Sequence, residues 1–558
     1  MKNHHLELFL QAKYKIISII LALLASLMQF LGISLIYPFI IILFNLELDN
    51  ELIDKIFQYL EYFNLPNTKY WLLTYCGISI LMTAILSFVY RILISYSAFD
   101  YLKRVRVKIL DFFLKSKFQK SSDSLSKFKN SLIILSFESC TTLLNQFNII
   151  EKFFSIFLLI ILAIYFSPII LILTISTALI VFTLFSFTLR IVRRLQNKLN
   201  LINESLINLT DSLTRNYRYI KSLGSKNYLP LSIKGFVKGF NKQHIKFTIL
   251  NKFTKIFREP ISLISLIIIF YAGLEIFQIE IAILIVTFVI MRRLFAEIMV
   301  LVTQLQSYSK SYTAHKYCVE FLKRIEVEQE YSGNQNISKF NTITLKNIDL
   351  SFEKPIFQNL NLKFENERTY LLKGGSGSGK TSLLMILMGI YQPDQGYVKY
   401  NNLNLKDLDL QNFRTKFSYI DQQNSIFDIN LRDNLKLKNN IITDEELINI
   451  LKEFKLNFDK DALDKKINET ISNFSGGQIQ RINFIREIIS DSEIFIFDEF
   501  TSNLDFENTK LIINYIKTKL KNKLVIISSH QEEYLEFADF VIDFNEKKLE
   551  IKNLNFNN

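Results

Sequence analysis

Six apolar stretches, each long enough to cross a bilayer as a helix, lie before residue 306 and constrain the fold of this chain more than any other feature. They occupy residues 15–45, 70–98, 143–166, 168–191, 257–277 and 279–305. A hydrocarbon core of about 30 Å needs about 20 helical residues, so each run suffices. Only Ser167 and Pro168 part the third and fourth runs, and only Gln278 parts the last two, so both pairs read as hairpins with tiny outer turns. A chain of 558 residues exceeds one ordinary core, and 49% hydrophobic with 21% charged residues suits a membrane portion joined to a charged soluble one.

Charge orients the membrane portion. Lys103, Arg104, Arg106, Lys108, Lys115, Lys117 and Lys120 follow the second run, and Arg190, Arg193, Arg194 and Lys198 follow the fourth. The positive-inside rule places both segments and both termini in the cytoplasm. The net charge of +13 therefore calls for membrane lipids with anionic headgroups as partners, not for nucleic acid. The acidic loop with Glu47, Asp49, Glu51, Asp54 and Glu61 belongs outside. Its Ile53, Ile56, Phe57 and Leu60 follow helical spacing, as an amphipathic surface helix or a packed loop helix would. Cys76, Cys140 and Cys318 are scattered and form no metal or disulfide pattern. The first apolar run is too long for a secretory signal and reads as a retained span.

Four arginines stand out. Counted at about 1.5 Å per residue from the outer ends, Arg91, Arg292 and Arg293 fall in the inner half of their spans or at its edge, and Arg258 opens the fifth from the cytoplasmic side. Charges at that depth need water, a partner or an anionic ligand. Together they outline a basic cavity; snorkelling, or pairing with Glu259 and Glu297, is the plainer alternative.

The pattern changes after a polar stretch. Residues 1–327 read as the transmembrane domain, 328–341 as a linker and 342–558 as a soluble domain of short strands and helices. The strand 369–372 runs into Gly374-Gly375-Ser376-Gly377-Ser378-Gly379-Lys380-Thr381, and a helical run from Ser382 follows. That is the setting a P-loop requires: a strand, a glycine-rich turn whose N–H groups wrap phosphate oxygens, and a helix N-terminus. Lys380 would neutralise β and γ phosphates, and the Thr381 hydroxyl would ligate Mg²⁺. Downstream the apolar strand 494–497 ends in Asp498-Glu499, one carboxylate for the metal and one for an attacking water. ATP and Mg²⁺ are the cofactors this implies.

Between these elements lies Asn473-Phe474-Ser475-Gly476-Gly477-Gln478, and here the chain resembles ABC transporters, whose signature is usually Leu-Ser-Gly-Gly-Gln. Gln422 matches the Q-loop, with Asp421 where exporters often have proline, Ser502 to Asp505 match the D-loop, and His530 matches the switch histidine. The resemblance implies an α/β P-loop ATPase domain behind an all-α six-helix transmembrane domain, a half-transporter of the exporter type. It implies a sandwich dimer, here a homodimer, with each ATP between one chain's P-loop and the other's signature. Glu499 is then the general base, Thr381, Asp498 and Gln422 serve the metal, and His530 with Gln422 senses the γ-phosphate. Ser475, Gly476, Gly477, Gln478 and Asp505 would reach nucleotide from the partner side. Exporters usually place an adenine-stacking tyrosine where Lys354 stands, which leaves Phe352 or Phe357 as candidates.

Coupling segments are expected near residues 119–129 and 211–217. The segment from Gly32 to Ile40, the outer amphipathic helix and Tyr90-Arg91 resemble bacterial flippases of lipid-linked oligosaccharides, and Arg258 and Arg293 fall where that group carries arginine. The implied substrate is a polyprenyl-diphosphate glycan, crossing the bacterial inner membrane with the ATPase domain in the cytoplasm. A lipid A or phospholipid flippase and a peptide or drug exporter are the alternatives. The lack of a peptidase domain before the first span weighs against a leader-processing peptide exporter.

Overall fold

The computed structural model describes residues 4–44, 68–117, 122–166, 216–222, 231–279, 281–352, 354–422, 425–466, 474–501, 504–544 and 551–553, with scattered positions in 58–66 and 168–213. The chain divides into two compact units, Met1–Gln329 and Glu330–Asn558.

The first unit is helical: α1 (His4–Leu10), α2 (Lys15–Ser34), α3 (Ile36–Phe44), α4 (Lys69–Leu114), α5 (Ser122–Asn130), α6 (Ser136–Phe166), α7 (Leu231–Ile256), α8 (Arg258–Glu275) and α9 (Ile281–Val327). A π turn, Ser131–Leu135, joins α5 to α6 without a break. Among the described residues, three helical stretches are long and apolar enough to cross a membrane: Lys15–Ile40, Tyr70–Leu114 and Lys127–Phe166. The fifth expected span is α8, whose apolar part Leu266–Glu275 is shorter. The sixth lies in α9, where Arg292, Arg293 and Glu297 interrupt the apolar run. The fourth, and the outer amphipathic segment with Ile53, Ile56, Phe57 and Leu60, fall mostly outside the described residues.

Helix ends depart from hydropathy in two ways. The first span is not one helix to residue 45: it breaks at Leu35, because Pro38 lacks an N–H and its ring would collide with the carbonyl four residues back. The second and sixth spans do not stop at residues 98 and 305. α4 runs on to Leu114 because Leu102, Val105 and Ile109 keep helical spacing on one buried face, and α9 reaches Val327 with Ala314 and Cys318 in that same core.

α2 and α4 approach closely at Gly32, where a Cβ would lie 3.2 Å from Ser79 Cβ. Tyr90 of α4 is buried and donates its hydroxyl hydrogen to the Phe147 carbonyl at 2.7 Å. α6 and α9 meet along a polar seam. Ser139 lies 3.2 Å from His315 Nδ1, Asn145 donates to Ser307 at 3.0 Å and Ser311 at 3.3 Å, and Lys152 sits 3.0 Å from Glu297.

The second unit holds two sheets. β1 (Thr342–Ser351), β2 (Pro355–Glu365), β4 (Gln395–Tyr400) and β5 (Leu403–Asn404) form an antiparallel sheet in the order β2-β1-β4-β5. β3 (Thr369–Lys373), β6 (Phe417–Ile420), β7 (Ile494–Asp498), β8 (Leu524–Ser528), β9 (Phe540–Asp543) and β10 (Ile551–Asn553) form the other, ordered β10-β9-β3-β8-β7-β6. Pairing is parallel from β9 to β6, and only β10 runs antiparallel. β7 and β8 are buried at every residue, the reason they read as unbroken apolar runs. Helix α10 (Lys380–Leu387) packs between the sheets in one core. Helices α11 (Asp444–Glu453), α12 (Gly476–Ile488) and α13 (Phe506–Lys519) share the core on the other face.

Candidate functional site

The chemistry gathers where parallel strands end, the rule for open α/β sheets. β3 delivers the glycine-rich loop, β6 delivers Gln422, β7 delivers Asp498 and Glu499, and β8 leads to His530. Strand order makes the four neighbours, although more than a hundred residues separate Lys380 from Glu499.

Gly374 and Gly379 show why the loop must be glycine. Gly374 has φ 154°, and a Cβ there would meet Phe544 Cβ at 2.5 Å. Gly379 has φ 105°, and its Cβ would press on Ile356 and the Phe357 ring at 3.0 and 3.2 Å. At these two positions the backbone must stay bare of a side chain, which lets the loop close tightly and its N–H groups face a ligand. Gly379 caps α10 with no side-chain hydrogen bond, so the first turn keeps its donors. Ser378 Oγ is buried without a hydrogen-bond partner. Ser376 is exposed and Ser382 half-buried on the same turn. Lys380 is only 5% exposed, and its Nζ donates to the carbonyls of Gly374 and Gly375 at 2.5 and 3.0 Å.

Thr381 Oγ1 donates to Asp498 Oδ2 at 2.7 Å. Burial pushes the Asp498 carboxyl above its ordinary range, against the opposing pull of the hydrogen bond from Thr381. Glu499 has φ 47°, a left-handed conformation that is strained for any residue but glycine, and its N–H is held by the Ser528 carbonyl at 2.9 Å. Its carboxylate is shared three ways: Lys380 Nζ at 3.7 Å, Gln422 Nε2 at 2.9 Å and His530 Nε2 at 3.4 Å.

Ser475, Gly476, Gly477 and Gln478 form a separate group at the start of α12. Ser475 Oγ accepts from the Gln478 N–H, and Gln478 Oε1 accepts from the Ser475 N–H at 2.9 Å, a capping box. A Cβ on Gly476 would meet nothing within 4 Å, so this helix start has an open face. Asp505 caps α13 by accepting from Asn508 N–H at 2.8 Å. Arg481 ties the two helices, donating to the Gly477 carbonyl at 3.2 Å and Asn508 Oδ1 at 3.2 Å. Ser502 and Asn503 lie outside the described residues.

Of the two candidate base-stacking rings, the structure rejects one. Phe357 is 4% exposed and packs in the core against Phe544, so no base can reach it. Phe352 is 56% exposed in the β1–β2 turn and is braced edge-on by Tyr391 at 5.3 Å.

The arginines do not behave as one set. Arg91 and Arg292 are exposed on the isolated chain. Arg293 pairs with Glu297 at 2.9 Å, and Glu297 also faces Lys152, which lies 3.3 Å from Glu151. Arg293 is thus charge-compensated, unlike the free basic group that a cavity reading expects. The side chains of Arg258 and Glu259 lie outside the described residues. Sequence reading passed over Glu151 and Lys152, although two adjacent charges inside the apolar run 143–166 were a visible signal.

The ABC transporter family matches residues 357–502, which hold the P-loop, the signature and the Asp498-Glu499 pair. A solved bacterial Atm1-family ABC exporter with ATP bound superposes with TM-score 0.76 over 97% of this chain and 94% of that one, at 14% identity. This chain has the ABC exporter fold. A helical apolar membrane region precedes the α/β ABC domain, as in that exporter. The Microcin-J25 export ATP-binding/permease protein of Escherichia coli is 32% identical over 38% of this chain and 37% of its own length. An uncharacterized ABC transporter ATP-binding protein of Haemophilus influenzae is 30% identical over 40% of this chain and 41% of its length. The Lactococcin-G-processing and transport ATP-binding protein of Lactococcus lactis is 32% identical over 42% and 34%. Each alignment spans less than half of the relative.

Proposed function

We propose that this chain is one half of an ATP-driven exporter, acting as a homodimer in the bacterial inner membrane. One observation carries the reading: Lys380, Gln422 and His530 converge on the strained Glu499 carboxylate beside the Thr381–Asp498 pair. The donors fit MgATP. The orphaned Ser378 hydroxyl and the uncapped start of α10 suit phosphate oxygens, and Thr381, Asp498 and Gln422 offer the oxygen ligands a hard divalent cation takes. Bound magnesium supplies charge neutralisation across the phosphates. Lys380 adds the fixed positive charge, and Glu499 takes the proton of the attacking water. Gln422 and His530 hold the Glu499 carboxylate in place. Ser475, Gly476, Gly477 and Gln478, with Asp505, serve the partner's nucleotide, so dimerisation completes each site. Phe352 is the ring that meets the base.

For the cargo we read an amphipathic molecule, a polyprenyl-diphosphate oligosaccharide. Arg91, Arg258, Arg292 and Arg293, counted to the inner half of their apolar spans or its edge, are the groups for a diphosphate headgroup, with Arg293 giving up its pairing with Glu297, since guanidinium groups grip phosphate by paired hydrogen bonds. A peptide cargo is the second reading, favoured by the relatives named for microcin and lactococcin. Vesicles holding the purified chain separate the two. The first reading expects ATPase stimulation by a polyprenyl-diphosphate glycan that Arg91→Ala with Arg293→Ala removes. Stimulation by peptide alone replaces the glycan with a peptide. A chain that hydrolyses no MgATP under any condition overturns the exporter reading.

A further inference from the structure

The six-stranded sheet ends on β6, whose outer row of backbone groups has no neighbouring strand among the described residues. Two side chains stand in for one. Lys438 Nζ donates to the Phe417 carbonyl at 2.5 Å, and Glu487 Oε2 accepts the Tyr419 N–H at 3.3 Å. Residues two apart on a strand face the same way, so both groups lie on the outer edge. Lys438 and Glu487 also pair with each other at 3.0 Å. Glu487 is 4% exposed, and a carboxylate so buried is costly unless its partners are well placed.

What β6 leads into gives this edge its significance. Asp421 and Gln422 follow directly, and Gln422 Nε2 donates to Glu499. Beyond that loop the Ser425 carbonyl accepts from Arg486 Nη1 at 2.6 Å, while Arg486 Nε lies 3.3 Å from Glu487 Oε1. Two consecutive residues near the end of α12 therefore hold the loop at its entry and at its exit. The same helix begins at Ser475.

We infer that Glu487, supported by Lys438 and Arg486, is a positioning residue for ATP hydrolysis, fixing the segment that carries Gln422 onto the helix that bears the signature motif. This rests on reading Glu499 as the base. Glu487 touches no reacting atom and acts through Gln422. Its charge balances two cations, so Glu487→Gln keeps an acceptor for the Tyr419 N–H but leaves Lys438 and Arg486 uncompensated.

The test is steady-state hydrolysis of MgATP by the purified full chain in lipid nanodiscs. Glu487→Gln should lower kcat about tenfold with KM for ATP within about twofold, because the phosphate cradle is untouched. In a Gln422→Ala background the same change should cost nothing further. Lys438→Met, which leaves the Arg486–Glu487 contact, should reproduce the pattern if Glu487→Gln fails to fold. Losses that multiply in the double variant, or unchanged kcat in both single variants, overturn the inference. Equal rates for wild type and Glu499→Gln overturn the reading beneath it, and the inference with it.

Discussion

Charged groups meet in both halves of the molecule, but by different routes. In the ATPase unit Lys380, Gln422, Glu499 and His530 come from the ends of four strands, and backbone geometry at each strand end aims them. In the membrane unit Glu151, Lys152, Arg293 and Glu297 come from two helices, and only the packing of α6 on α9 brings them together. The first arrangement is built from short contiguous motifs whose proposed ligand is a nucleotide phosphate. The second joins two local pairs, Glu151–Lys152 and Arg293–Glu297, through one long-range contact between Lys152 and Glu297. Similar electrostatics can therefore serve a reaction in one place and hold a helix pair in the other.

That contrast breaks first, and by the largest amount, at Glu297. Its side chain is 4% exposed, and Glu297→Ala would leave partly buried Lys152 with Glu151 as its remaining counter-charge, a loss of about 3 kcal/mol seen as a lower thermal midpoint. The double variant with Lys152→Ala should lose less than the two single losses added together. If Glu297→Ala instead keeps its stability and loses only cargo-stimulated ATPase, the cluster belongs to transport and the contrast falls.

Phe352 sharpens the other side. Phe352→Ala should raise KM for ATP by about threefold to tenfold, the worth of one aromatic contact, without changing kcat. Phe357→Ala should destabilise the domain, since that ring fills the core behind Gly379. A raised KM in Phe357→Ala with stability unchanged, and none in Phe352→Ala, would mean that Phe357, not Phe352, meets the base.

The smallest effect on stability is at Asp498. Burial raises its carboxyl pKa, so keeping it ionised costs the fold stability at neutral pH. Below the unfolded value near 4 the group is protonated in both states and the cost vanishes; it grows as pH rises through the raised folded value. Asp498→Asn should therefore raise the thermal midpoint at pH 7 by about a degree or two, lose that gain at acid pH, and remove MgATP hydrolysis. A lower midpoint at pH 7 would show that the charged form is stabilised by its hydrogen bonds.

Legibility follows the same division. The glycine run, Thr381, Asp498, Glu499 and Gln422 stand out in the sequence as short contiguous motifs, and the structure brings them to the ends of neighbouring strands, where their proposed roles toward phosphate and metal rest on that convergence. The Phe357 alternative could not be settled in advance, because spacing along β2 does not say which face of the strand meets the core. Hydropathy picks out runs that lie within α2, α4, α6, α8 and α9 but not the ends of those helices, since α4 and α9 continue on amphipathic faces past the apolar run. The Arg293–Glu297 pair, four residues apart on α9, is the plainer alternative that spacing already offers, whereas the contact of Lys152 with Glu297 depends on how α6 packs against α9. Glu487 was invisible for a related reason: its meaning comes from the free edge of β6, a fact of strand order.

The central claim is that Glu499 activates water for ATP hydrolysis. Single-turnover hydrolysis by the purified chain, wild type against Glu499→Gln, tests it directly. The account predicts about a thousandfold slower cleavage with MgATP binding retained. Cleavage at the wild-type rate in Glu499→Gln would contradict it.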